Sequence, residues 1–512
     1  MFTAFKDLSV LRRDFLASLV VFLVAVPLCV GVAVASGVPA ELGLITGIVG
    51  GLVVGALPGS SLQVSGPAAG MTVLVFEAVS EFGLAALGAI VLISGLLQLA
   101  LGALRFGRWF RAISVAVVQG MLAGIGLVIV LGQLYAMADT TQPSGGLGKL
   151  AGLPSLAASI ASGGTALTAF LLGAGTIAVL VLWPRLPARV RVVPGPLAAV
   201  GLATAVAALF ELPAAKVEVQ GLLEAVQPPG LGDFADLAGM AAIGTVLAFT
   251  LIASAESLFS AAAVDRMHDG PRTDYDKELM AQGVGNTICG ALGALPMTAV
   301  IVRSAANVQA GARTSLSRFL HGMWLLLFAA LLPATIGAIP LAALAGVLVH
   351  AGCKLVPVGD LAPLWREHRG EVVILGVTAL AILFTNLFEG VLLGLLLAVC
   401  KTAWETSHLH VEVRELTGGR LVAALTGNAT FLRLPKILER LEGLPQDRPI
   451  ELDLSGVRHL DHACRVALEN WALRHNDADT EPVRLLHPAP AGPGAPETPA
   501  DPATQPPAVS RA

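Results

Sequence analysis

The chain has 512 residues, of which 55% are hydrophobic and 13% charged, with a formal net charge of −4 and a mean hydropathy of +0.77. That is too apolar for a soluble protein of this length and places the chain in a lipid bilayer. Its basic residues lie in short separate groups, which argues against nucleic acid as a partner and against a polybasic lipid anchor. Five dispersed cysteines (Cys29, Cys289, Cys353, Cys400 and Cys464) point to neither disulfides nor a metal site.

A spanning helix needs about 20 mainly apolar residues. The first apolar run, residues 15–40, follows Arg12, Arg13 and Asp14; it exceeds a signal-peptide core and reads as a retained first helix. Residues 82–104, 112–138 and 192–210 give one span each. Two longer charge-free runs, 42–76 with its Pro58-Gly59 turn and 319–353 with Pro340, hold two each. Residues 165–183, 237–262, 279–295, a short segment at 297–310 and a pair between 372 and 403 complete fourteen expected spans. With the N-terminus inside, the Lys and Arg from Lys6 to Lys401, Arg111, Arg191 and Arg318 among them, fall on the cytoplasmic side. Lys149 and Lys216 fall outside, and Arg303 is left within the membrane. An even number of spans returns the C-terminus to the cytoplasm.

Beyond Thr406 the pattern changes. HVEVREL, RLVAALT and PIELDL alternate like strands, FLRLPKILERLEGL is amphipathic and CRVALENWALRHND reads as a second helix, so residues 408–487 form a small α/β domain. From Pro488 the Pro- and Ala-rich tail cannot bury a core and is expected to be disordered.

Two spans are poor continuous helices: Ser60–Val79 (SSLQVSGPAAGMTVLVFEAV) and Gly293–Gly311 (GALPMTAVIVRSAANVQAG). Each sets an extended, β-branched or Gly/Pro-rich portion beside a short helix, and they are the third and tenth of fourteen. In carriers built from inverted repeats, such segments meet near the bilayer midplane and aim half-helix N-termini at an anion. Their free N–H groups supply donors without a charged side chain. The plainer alternative is that Gly and Pro only let helices pack closely. Glu256 lies well inside the eighth span, where an ionised carboxylate costs several kcal/mol unless it faces a cavity or a cation, and is the proton-coupling candidate. Its alternative is a structural hydrogen-bonded Glu. Arg303 adds a fixed positive charge, with snorkelling as its alternative. His321 and His350 read as helix contacts, and Glu41, Glu77, Glu81 and Glu389 sit near the outer ends.

These residues resemble the SulP family of anion transporters, the sulfate permease group that includes the solute carrier 26 proteins and prestin. The resemblance covers roughly residues 10–485 and rests on QVSGP at Gln63–Pro67, AESLFSAAAVDRMHDG at Ala255–Gly270, KELMAQGVGN at Lys277–Asn286 and IVRSAANVQAGARTSLS at Ile301–Ser317. It implies an all-α polytopic membrane domain over residues 1–406, with fourteen segments in a seven-plus-seven inverted repeat like that of nucleobase permeases. Repeat one would occupy about 14–211 and repeat two about 237–404, a core moving against a gate. The resemblance makes residues 408–487 a cytoplasmic STAS domain, on DLSGVRHLDHACRVAL at Asp453–Leu468. His462 and Ala463 stand where its relatives carry a phosphorylatable serine, which speaks against a phosphorylation switch.

By the same resemblance the anion would sit near Gly66, Pro67, Ala68, Val300, Ile301, Val302 and Arg303, lined by Pro27 and Leu28 and with Glu256 beside it. Leu28 replaces a frequent Gln, and Ala68 and Ile301 stand where threonines would help hold sodium, which favours a proton over sodium. The expected function is proton-coupled symport of a small anion (a carboxylate or fumarate-like dicarboxylate, sulfate or bicarbonate) by a homodimer in the inner or plasma membrane, with no cofactor. The alternatives are an uncoupled channel or exchanger, a sodium-coupled bicarbonate carrier, or a membrane sensor acting through the C-terminal domain. Neither a nucleophile–base pair nor a metal-ligand cluster suggests an enzyme.

Overall fold

The computed structural model describes residues 8–108, 114–143, 145–187, 189–190, 193–218, 221–235, 237, 239–416, 419–475 and 481–486. Lys6, Arg111, Arg191 and the tail from Pro488 onward lie outside the described residues. The chain divides into two compact units, Met1–Ala398 and Val399–Ala512.

The first unit is built from α1 (Leu8–Ala35), α2 (Ala40–Leu52), β1 (Ser65–Pro67), α3 (Thr72–Ala103), α4 (Val115–Met137), α5 (Gly145–Ala151), α6 (Leu153–Ala161), α7 (Gly164–Leu182), α8 (Gly195–Leu209) and α9 (Leu231–Ala235). It continues with α10 (Met240–Val264), α11 (Tyr275–Ala291), β2 (Met297–Ala299), α12 (Ile301–Gln309), α13 (Leu316–Leu331), α14 (Pro333–Gly337), α15 (Leu341–Leu355), α16 (Val358–Glu367), α17 (Arg369–Phe384) and α18 (Leu387–Thr406). Among the described residues, six helices are long and apolar enough to cross a membrane, and α2, α8, α13 and α15 are shorter apolar helices. The unit is not purely helical, because β1 and β2 form a two-stranded antiparallel sheet inside it. α3 is two helices in one: Gly83 at φ 82° breaks it into a short half-helix and a long span, a conformation a side chain would resist. α3 and α11 pack through Gly95, Gly283 and Gly290, where an added Cβ would meet the facing backbone at 2.2–2.6 Å. Small residues take the place of hydrophobic drive between helices in lipid.

The second unit holds the end of α18 and a four-stranded sheet in the order β3 (Leu409–Glu415), β4 (Leu421–Ala429), β5 (Ile450–Leu460) and β6 (Arg484–Leu486). β3 pairs antiparallel with β4, whereas β4–β5 and β5–β6 are parallel. Parallel neighbours require crossovers, supplied by α19 (Leu434–Glu442) and α20 (His462–Arg474). Alternate residues of β4 (Leu421, Ala423, Leu425) and β5 (Ile450, Leu452, Leu454) are buried with Ile437, Leu441, Leu468 and Trp471. The period of two read from the sequence thus sets the core face. β6 carried no sequence signal strong enough to announce it.

Candidate functional site

The two interrupted segments meet as a ribbon. β1 and β2 pair with Ser65 opposite Ala299, Gly66 opposite Thr298 and Pro67 opposite Met297. After Ala68 the first continues through a short 3-10 turn into α3; after Val300 the second continues into α12. Antiparallel pairing puts the two helix starts at opposite ends of a ribbon roughly 7 Å long. The first-turn amides of each helix have no intrahelical acceptor and carry the positive end of the dipole.

Three residue-long strands do not hold themselves, and side chains of the surrounding helices supply what a sheet would. Ser257 Oγ accepts from Ala299 N at 3.2 Å, and Ser260 Oγ donates to Ala299 O at 2.9 Å, so α10 acts as the neighbour of β2. α11 presents Glu278, Gln282 and Asn286 at four-residue intervals on one face. Glu278 accepts from Ser60 N at 2.8 Å, Gln282 Nε2 donates to Ser65 Oγ at 2.7 Å, and Asn286 brackets Met297 by accepting from its N–H at 2.7 Å and donating to its carbonyl at 3.1 Å. From α12, Ser304 Oγ accepts from Val64 N and Asn307 Nδ2 donates to Leu62 O, both at 2.9 Å. Arg318, counted among the inner loop charges from sequence, is instead 2% exposed and donates to the carbonyls of Gln63, Gly55 and Leu57. Lys149, at 4% exposed, is buried as well. Charge alone does not reveal such placements, because the positive-inside count treats every Arg and Lys as a loop residue.

Arg303 is fully buried. Its guanidinium lies against Gly66, where an added Cβ would be 2.2 Å from Nη1, and Nη2 donates to Pro67 O at 3.3 Å. Nε and Nη1 have no hydrogen-bond partner, and Arg303 makes no ion pair among the described residues. Snorkelling toward the cytoplasm does not describe this side chain. Beside it are the Cys29 thiol on α1 and His321 on α13. His321 is fully buried on α13, with neither ring nitrogen in a well-formed hydrogen bond among the described residues. Neither Cys29 nor His321 was placed at the site from sequence, because neither stands in a recognisable spacing.

Glu256 approaches the other half-helix. An added Cβ on Gly70 would lie 1.8 Å from its Oε1, Oε2 is buried without a hydrogen-bond partner, and the Thr298 hydroxyl stands beside the carboxylate. Of the remaining candidates, Gly66, Pro67 and Ala68 form the end of β1 and the residue leading to α3, and Val300 caps α12. Pro27 is buried in α1, and Leu28 packs at the edge of an apolar cluster. Ile301 is 36% and Val302 55% exposed, facing away from the buried guanidinium that follows them.

Broken helices paired at their strands, a buried arginine without an ion pair among the described residues and a carboxylate beside a helix start are features of a membrane transporter. A sequence profile of the Sulfate permease family matches residues 11–378, and the chain belongs to that family. It is 28% identical to the bicarbonate transporter BicA of Picosynechococcus sp., over 91% of this chain and 82% of that one. It is likewise 28% identical to the putative sulfate transporter YvdB of Bacillus subtilis, over 94% of each. The transmembrane domain of a cyanobacterial BicA matches with a TM-score of 0.65 and 24% identity, covering 77% of this chain and 98% of that one. The murine Solute Carrier 26 family member A9 anion transporter, in the inward-facing state, matches with a TM-score of 0.76 at 16% identity, over 94% and 86% of the two chains. Relatives at both levels of comparison are transporters rather than enzymes.

Proposed function

We propose that the chain is a secondary active carrier that moves a small oxyanion together with a proton. The observation that carries this reading is Arg303, whose buried guanidinium has two donor nitrogens without partners beside the β1–β2 ribbon. A buried cation left uncompensated costs several kcal/mol, and an anion held between it and the half-helix amides removes that cost. Gly66, Pro67, Ala68 and the first turn of α12 form the anion site in this reading. Glu256 is the proton carrier: ionised, it repels an incoming anion; protonated, it does not, and coupling follows from that difference. Bicarbonate and sulfate, which the names of relatives carry, are the first anions to test, with a dicarboxylate as the bulkier alternative.

Alternating access would be carried by fourteen segments in two inverted halves. The antiparallel pairing of β1 with β2, each followed by a helix, is what a two-fold axis in the membrane plane would generate. The second unit, with its mixed sheet and two helices, serves as a STAS domain on the cytoplasmic side of the inner or plasma membrane, in a homodimer. Uptake of labelled bicarbonate and sulfate into proteoliposomes tests the coupling. An inward proton gradient should accelerate uptake by the native protein and leave Glu256→Gln unaffected; a Glu256→Gln protein with a full gradient response would overturn the assignment.

A sodium-coupled bicarbonate carrier is the second reading, favoured by the Thr298 hydroxyl beside Glu256, an oxygen not counted from sequence. Replacing external sodium with choline separates the two: uptake persists under proton coupling and collapses under sodium coupling.

A further inference from the structure

The second unit carries a segregated basic face at the point where the last apolar helix ends. α18 is long and apolar enough to cross the membrane, and Trp404 in its last turn is 52% exposed. A tryptophan there is typical of the lipid headgroup level. The Arg433 guanidinium stacks over the Trp404 ring at 4.3 Å from its centroid, and Nε donates to Ser407 O at 2.9 Å, so the start of α19 is fastened to that same level. Arg433, just before α19, and Lys436 and Arg440 on it recur at intervals of three and four and share one face. Between this face and the edge strand β3 lies a cleft of about 510 Å³, to which His410 of β3 and His408 just before it contribute. Its one acid, Glu412, is neutralised by Arg414, which grips both its oxygens at 2.7 and 2.9 Å. Lys436 and Arg440 make no ion pair among the described residues.

Positive charge at Lys436 and Arg440 without ion-pair partners among the described residues, beside the residue that marks the headgroup level, calls for an anionic surface. We propose that this cleft binds the phosphate headgroups of anionic lipids in the leaflet from which α18 emerges. Each Lys or Arg held at a charged bilayer surface strengthens the contact about fivefold, and the effect decays within a Debye length of roughly 10 Å at 0.1 M salt.

The test is amide hydrogen exchange of residues 431–442 in the full-length protein, in nanodiscs of phosphatidylcholine alone or with phosphatidylglycerol. The segment should be protected by phosphatidylglycerol, and the protection should fall steeply at about 0.5 M salt, where the Debye length shrinks to roughly 4 Å. It should fall about fivefold for each charge removed in Lys436→Ala and Arg440→Ala, exposed residues outside the anion site. Glycerol phosphate added to phosphatidylcholine nanodiscs should give none. Equal protection in both nanodiscs would overturn the proposal in favour of a protein contact. Protection by glycerol phosphate without the lipid would overturn it in favour of a soluble ligand. A failure of either kind leaves the anion site untouched, since transport is not read.

Discussion

Arg303 and Glu256 do not pair with each other; each is set against a different glycine of the segment that leads into α3, Arg303 against Gly66 in β1 and Glu256 against Gly70 in the turn before the helix. Two consequences can be measured. Removing the guanidinium in Arg303→Ala should lower apparent anion affinity by at least about thirtyfold, as loss of a buried charged hydrogen-bond donor costs about 2–5 kcal/mol, and Arg303→Lys should not restore it. Concentration dependence of uptake at fixed pH checks this. In Gly70→Ala the new methyl must displace the carboxylate it would otherwise overlap, so proton dependence should be altered while the protein still inserts into the membrane. Uptake across a pH series reads that change. The oxygens and nitrogens that matter here were half legible beforehand. An acid and an arginine within apolar runs stand out because they are costly, but Cys29 and His321 are ordinary residues until α1 and α13 bring them together.

At the scale of elements, the motif KELMAQGVGN is a ladder rather than a binding site. Glu278, Gln282 and Asn286 stand one above another on α11 and hold the Ser60 amide, the Ser65 hydroxyl and the Met297 amide around the ribbon. In Asn286→Ala the Met297 N–H and the Gln98 carbonyl oxygen each lose a partner, at about 1–3 kcal/mol apiece. Transport should fall severely and residues 297–300 should exchange amide hydrogens faster, with Asn286→Asp recovering part of both because it keeps the acceptor for Met297. The interruptions themselves were readable from Gly, Pro and β-branched residues in otherwise apolar spans. What no periodicity could announce is that the two extended pieces pair with one another, since three-residue strands 230 positions apart leave no repeating signal and are held by side chains of other helices.

The second unit offers an independent check at the same scale. Asp461 caps α20, accepting from Cys464 N at 2.7 Å and from Phe431 N at 2.5 Å. Desolvation pulls its pKa upward, but these amide hydrogen bonds outweigh it and hold the carboxyl below the usual carboxylate range. A depressed folded-state pKa stabilises above the unfolded value and ceases to do so as pH falls through the folded one. Asp461→Ala should therefore cost about 1 kcal/mol at neutral pH and progressively less below about pH 4, read from amide exchange of α20 in the full-length protein.

For the whole molecule, composition was decisive about the bilayer, and alternation of apolar residues beyond Thr406 about a second, α/β unit. The boundary of individual spans was less visible: Gly83 alone separates the two helices of α3, turning the chain without any polar loop. Coupling belongs to this scale, since it requires the site to face each side of the membrane in turn with the proton and the anion aboard together. The most direct measurement follows labelled anion and internal pH at once in sealed proteoliposomes, starting from an anion gradient with no imposed pH difference. Inward anion flow should carry acid with it in fixed proportion, and Glu256→Gln should abolish the acidification. Anion entry that leaves internal pH unchanged in the native protein would contradict the account.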